Sequence, residues 1–155
     1  VNDINFITVE YEQLKLNNQL CFRLYTASRL ITGAYKPYFE PLGITFPQYL
    51  VLMVLWESDS LTVNAIAHSL LLETNTITPL LQRMEKLGLV TRTVGKTDAR
   101  QHIVKLTEKG RRMQEQAKNI PQCLGSEVVE KTGLSFQELS ELMLVLDRFI
   151  DGLSK

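Results

Sequence analysis

Two kinds of side chain in this 155-residue sequence could do chemistry: a pair of thiols, and a cluster of hydrogen-bonding and cationic groups. Cys21 and Cys123 are its two cysteines. A free cysteine is most often a small buried hydrophobe. To sense an oxidant it needs thiolate character, hydrogen-bond donors for the charge, and a path for peroxide. The pattern around Cys21 places it in the early turns of a helix, on or beside the apolar stripe. Cys123 follows Pro121, just past an expected helix end. Two thiols this far apart are too few for a secreted disulfide scaffold.

The second group is Thr74, Asn75, Thr76 and Thr78, followed by Gln82 and Arg83. Ile77, Leu80, Leu81 and Met84 interleave with them at helical spacing and face inward. Small polar residues at the leading end of a helix suit base edges and phosphates in a major groove, although alone they do no more than cap it. Charge adds to the signal. The whole chain is formally neutral, with 17 cations and 17 anions, yet residues 83–112 hold nine cations against three anions, a net of +6. Within that stretch, Gly95-Lys96-Thr97-Asp98-Ala99-Arg100 reads as a polar hairpin loop. Lys96 and Arg100 can reach a minor groove or the backbone, and Asp98 can hold the Arg100 guanidinium. A neutral protein with one basic segment fits a DNA reader with an acidic body; a solvated charged face is the alternative.

Other signals fail. Val94-Gly95-Lys96-Thr97 ends like a phosphate loop, but the required first glycine falls at Val90 and no helix follows. His68 and His102 stand apart from any ligand spacing, so neither a metal nor a cofactor is expected. Nothing supports an enzyme. The longest apolar run, residues 49–56, is too short to cross a bilayer, and the first ten residues lack a basic start and an apolar core. A cytoplasmic protein is expected, with no membrane partner.

The elements that must position these groups are mostly helical. Leu16, Leu20, Leu24, Ala27, Ile31 and Tyr35 predict a helix over residues 14–38. Thr45 caps a second, apolar almost all round, through Glu57, and Thr62 caps a short third. Thr76 or Thr74 starts the next helix, Pro79, tolerable in a first turn, favouring Thr76; Gly88 stops it. Residues 89–94 and 101–106 are β-prone, a further helix runs from Thr107 to about Asn119, and Pro121 and Gly125 loosen the chain after it. Ser135, with Glu138 three residues on, opens a last helix to Leu153 whose apolar stripe needs a partner, either the first helix or another subunit. Helix, short turn, helix and basic hairpin is the order of a winged helix-turn-helix. A mainly α chain is expected, with a winged helix-turn-helix over residues 45–106 whose wing has two to three strands. Residues 14–40 and 108–155 supply N- and C-terminal dimerisation helices of a single domain.

Residues 70–85, together with Gly88-Leu89-Val90-Thr91-Arg92 through Asp98-Ala99-Arg100, resemble MarR-type transcriptional regulators. Asn18-Gln19-Leu20-Cys21-Phe22 and residues 41–49 resemble the organic-hydroperoxide-sensing branch of that family. The Asp98-x-Arg100 pattern is common to the whole family; the Gln-Leu-Cys-Phe segment combined with Thr78-Pro79-Leu80-Leu81 is more specific. The resemblance implies a homodimeric repressor on double-stranded operator DNA, released when an organic hydroperoxide oxidises Cys21. It implies tyrosine donors reaching Cys21 across the dimer interface. One falls at Tyr35, and the other at Phe46, which has no hydroxyl. Tyr25, one turn after Cys21, is a same-chain candidate. In two-cysteine members a resolving cysteine forms an intersubunit disulfide, and approximate spacing gives that place to Cys123. Two alternatives stay open: the same DNA-binding scaffold released by a small aromatic or phenolic ligand, and a winged-helix interaction module that binds no DNA.

Overall fold

The computed structural model describes residues 11–95 and 101–154, and the chain divides into two compact units after Tyr35. In the first unit two 3-10 turns, Glu12–Leu14 and Leu16–Asn18, precede helix α1, Leu20–Ala34. The helix is shorter than its periodicity predicts, for a local reason at each end. The Asn18 side-chain amide donates to the Glu12 carbonyl (2.8 Å), and that of Gln19 donates to the Gln13 carbonyl (2.6 Å). Such side-chain bonds to nearby backbone compete with helix formation. At the other end Pro37 has no N–H for the Gly33 carbonyl, so α1 stops and a single turn, α2 (Lys36–Phe39), begins anew. No residue of α1 is buried.

The second unit is built around α3, Phe46–Glu57. Extended Thr45 precedes it and donates its N–H to Gln48 Oε1 (2.9 Å), while Pro47 sits in the first turn. Strand β1 (Leu61–Thr62) leads into α4 (Val63–Ser69), capped as expected by Thr62, whose Oγ1 accepts from the Ala65 N–H (3.1 Å). A tight turn with Leu71 at φ +52° connects α4 to α5, Thr74–Lys86. Gly88 at φ +69° ends that helix as predicted. Strands β2 (Val90–Val94) and β3 (His102–Leu106) pair antiparallel, with Val90 opposite Leu106 and Val94 opposite His102. β1 adds to the far side of β3, giving the sheet order β1-β3-β2. Helix α6 (Glu108–Ala117) follows, then α7 (Ile120–Thr132) and α8 (Phe136–Leu153). Ser135 and Glu138 form the predicted capping box of α8.

The chain is thus mainly helical with a three-stranded wing, as expected, but two sequence expectations fail. Pro121 and Gly125 do not loosen the chain. Pro121 lies in the first turn of α7, where a missing N–H costs nothing, and Gly125 continues the helix. Nor does the Thr76 start that Pro79 favoured hold: of the two allowed starts α5 takes Thr74, with the Thr76 and Ile77 N–H groups donating to the Glu73 carbonyl (2.9 and 3.2 Å), so Pro79 lies inside it. Losing one bond there is outweighed by an inner face on which Ile77, Leu81 and Met84 are fully buried.

These residues join Val51, Leu52, Leu55, Ile66, Val90 and Val104 in one core, which Met113, Ala117, Ile120 and Leu124 extend under α6 and α7. Phe39, Tyr49 and Trp56 stack along it, with ring centroids 4.9 and 6.0 Å apart. α6 approaches the wing closely. A Cβ on Gly110 would lie 2.2 Å from the Leu89 carbonyl oxygen, and the Gly110 carbonyl accepts from Trp56 Nε1 (3.0 Å). Among the described residues no helix is long and apolar enough to cross a membrane, and no group of acidic, His or Cys side chains is arranged to hold a metal ion.

Candidate nucleic-acid interface and cysteine sites

Amphipathicity decides what α5 can present. With Ile77, Leu81 and Met84 buried, Thr74, Asn75, Thr76, Gln82 and Arg83 are left exposed on the other side, and Thr78 is half-buried. The Glu73 side chain forms no cap, and the threonines are partly committed within the helix. Thr78 Oγ1 donates to the Thr74 carbonyl (2.8 Å), and Thr74 Oγ1 donates to Asn64 Oδ1 of α4 (3.2 Å). Asn75, Gln82 and Arg83 are therefore the long or amide-bearing groups that this surface offers to a base edge. Asn64 joins the surface through Thr74, a tie that no sequence pattern announces.

The wing is fixed to this helix by a carboxylate. Glu85 Oε2 accepts from Arg92 Nε (3.0 Å) and Nη2 (2.8 Å), while Oε1 accepts from the Arg92 backbone N–H (3.2 Å). The Arg92 hydrogen bond and charge outweigh desolvation and hold the Glu85 carboxyl below the usual carboxylate range. A second carboxylate works at the other edge of the sheet. Asp59 Oδ1 accepts from the Leu106 and Ser60 N–H groups (2.9 and 2.8 Å), and Oδ2 accepts from Arg111 Nη2 (2.7 Å). Burial alone would raise the Asp59 carboxyl, but those N–H donors and the Arg111 guanidinium outweigh it and hold it low. The basic segment thus spends part of its charge internally: Arg92 and Arg111 are paired, and Lys109 Nζ donates to the Leu87 carbonyl (2.8 Å). Lys96, Asp98 and Arg100, expected at the wing tip, lie outside the described residues.

Cys21 and Cys123 are both free and exposed. The sequence left open a buried, inert Cys21; in the single chain it is exposed. Cys21 sits in the first turn of α1 and Tyr35 caps that helix's far end. Fourteen residues at about 1.5 Å each put them about 20 Å apart along the axis, so Tyr35 cannot serve Cys21 of its own chain. Burial raises the Tyr35 phenol, keeping it a protonated donor. Cys123 lies within α7 rather than past a helix end. Four and eight residues further along the same face stand Glu127 and Lys131. Glu127 accepts from Lys131 Nζ (2.5 Å) and from the Tyr38 hydroxyl (3.3 Å), and burial, with the nearby charges of Glu127 and Cys123, raises the Tyr38 phenol. Sequence reading missed this cluster because its members come from α2 and α7, 89 residues apart.

Residues 34–117 match the family model of the SarA/Rot transcriptional regulators. The chain is 46% identical over 112 residues to the organic hydroperoxide resistance transcriptional regulator of Bacillus subtilis, covering 72% of this chain and 76% of that one. Among solved structures, reduced AbfR of Staphylococcus epidermidis bound to DNA is 39% identical, with a TM-score of 0.77 over 93% of this chain and 98% of that one. A disulfide-formed AbfR is likewise 39% identical, with a TM-score of 0.62 over 90% and 95% of the two chains.

Proposed function

This chain belongs to the MarR family of winged-helix, DNA-binding transcriptional regulators, in its organic-hydroperoxide branch, and on that premise we propose that it is a homodimeric repressor switched by oxidation of Cys21. The observation that carries the DNA half of the reading is the two-sided α5: one face fully buried, the other a row of exposed Thr74, Asn75, Thr76, Gln82 and Arg83. Two such helices, one from each protomer, enter successive major grooves about one DNA turn apart. Thr78 supports the leading turn, and Lys96 and Arg100, oriented by Asp98, contact the backbone or minor groove beside it. The two compact units of each chain act together as one regulator in the cytoplasm.

The switch uses the first unit. The Cys21 sulfur attacks one oxygen of an organic hydroperoxide; the O–O bond breaks, the alcohol leaves, and Cys21 becomes a sulfenic acid. The hydroxyl of Tyr35 from the other protomer donates to the sulfur, because the same-chain Tyr35 is at the wrong end of α1. Cys123 of the other protomer then condenses with the sulfenic acid, forming a disulfide and releasing water. That disulfide pulls on α1 and α7, the spacing of the reading helices changes, and the operator is released.

Similarity to the hydroperoxide resistance regulator and to a relative solved in both DNA-bound and disulfide states supports this order of events. A second reading keeps the DNA interface and replaces the oxidant with a small aromatic ligand. Phe46 favours it, since it puts a ring without a hydroxyl where the branch has its second tyrosine. Titrating the operator complex with cumene hydroperoxide decides between them. Release of the wild type but not of Cys21→Ser supports the redox switch, whereas wild-type protein that stays bound under oxidation overturns it.

A further inference from the structure

The wing and the reading helix must meet DNA together, yet the wing strands form a separate ladder that could lean against α5 at many angles. Beyond the core contacts of Val90 and Val104, one side-chain pair ties α5 to β2 directly. Glu85 lies on α5, three residues past Gln82, and Arg92 lies at the middle of β2, opposite Val104 of β3. The carboxylate takes three N–H donors from Arg92, two from its fork and one from its backbone. With both oxygens engaged and a planar fork on one of them, neither side chain can swing without breaking several bonds at once. The pair is also partly shielded, with Arg92 22% and Glu85 38% exposed.

We propose that Glu85 and Arg92 are positioning residues for operator binding: the pair holds strands β2 and β3 at the angle to α5 that lets the wing and the exposed row of α5 engage the duplex simultaneously. This rests on the reading of α5 as the groove-entering helix. The pair itself contacts no base in this scheme. Its role differs from that of an ordinary cation in the basic segment, and the difference has an opposite sign. Glu85 is an anion on a unit that approaches a polyanion. If only the electrostatic field mattered, neutralising it would tighten binding, and a freed Arg92 would add a phosphate contact and steepen the salt dependence by about 0.9 in log–log slope. If the pair positions the wing, the same substitution weakens binding to the operator.

The test is fluorescence anisotropy on an operator duplex and on a scrambled duplex across a salt series, with thermal melts confirming that each variant is folded. Glu85→Gln should weaken operator binding about tenfold, while scrambled-duplex binding is unchanged or stronger. Arg92→Lys keeps the charge and loses the fork, so it should weaken operator binding several-fold at an unchanged salt slope. The reversal Glu85→Arg with Arg92→Glu restores the pair and should recover most of the loss. Arg83→Ala serves as the reference for direct contact. Should Arg83→Ala lose operator binding while Glu85→Gln and Arg92→Lys bind as wild type or tighter, the positioning role is overturned and the reading of α5 stands. Should all three bind as wild type, that reading falls with it.

Discussion

The segment from α3 to α7 and the two flanking helices, α1 and α8, handle apolar surface in opposite ways. In the first, Val51, Leu52, Ile66, Ile77, Leu81, Met84 and Val104 are fully buried, each matched by a side chain of the same chain. In the second, no residue is buried at all. α8 exposes Met143 and Leu144 at 65% each, with Leu142, Phe149 and Ile150 beside them, and α1 exposes Leu20, Tyr25 and Leu30. Exposed apolar side chains in such numbers on one helix are what subunit interfaces cover. The contrast separates the work. The segment from α3 to α7 completes its core within one chain, while in the proposed homodimer a second copy would cover the apolar residues of α1 and of α8. In that proposal a switch on α1 would change the spacing of two reading helices without unfolding either.

The largest effect should come from breaking that division. Replacing Leu142 and Phe149 by Asp puts charges into the α8 stripe. It should yield a monomer by light scattering, with far-UV dichroism close to wild type, and cut operator affinity about a hundredfold or more as the second half-site is lost. Gly110→Ala probes the self-contained part. Its added Cβ would meet the rigid Leu89 backbone carbonyl at 2.2 Å, so a loss of about 3 kcal/mol in urea unfolding is expected, with the proposed dimerisation unaffected. On the reading face, Asn75→Ala and Arg83→Ala should each cost about 2 kcal/mol of operator affinity and leave stability nearly unchanged.

The smallest effect is a pH dependence. Asp59 is held below its ordinary value when folded, so its contribution is present above the unfolded value and is lost as pH falls through the folded one. Asp59→Asn should therefore lower stability at pH 7 and flatten its decline below about pH 4, read as urea midpoints across that range.

Much of this division is legible in the sequence, because local chemistry writes it. Thr62, Gly88, Ser135 and Glu138 mark helix ends through their own caps, and the inward residues of α5 follow a clean helical period. Proline misled twice, and went unweighed once at Pro37, for one reason: its effect depends on where the helix starts. Pro37 cut α1 from α2, Pro121 opened α7, and Pro79 sat inside a helix that burial sustains. The ties that position the site were not legible. Glu85 to Arg92, Asp59 to Arg111 and Tyr38 to Glu127 join groups brought together by the fold, and nothing in the local pattern distinguishes these residues from other polar surface residues. The apolar stripe of α8 was legible as a need for a partner.

Sedimentation equilibrium of the wild-type chain, free and on a duplex carrying two half-sites, bears most directly on the central claim. A mass twice the 17.7 kDa of one chain, unchanged in subunit number on DNA, is the expected result. A stable single chain that binds the full operator with one copy would contradict it.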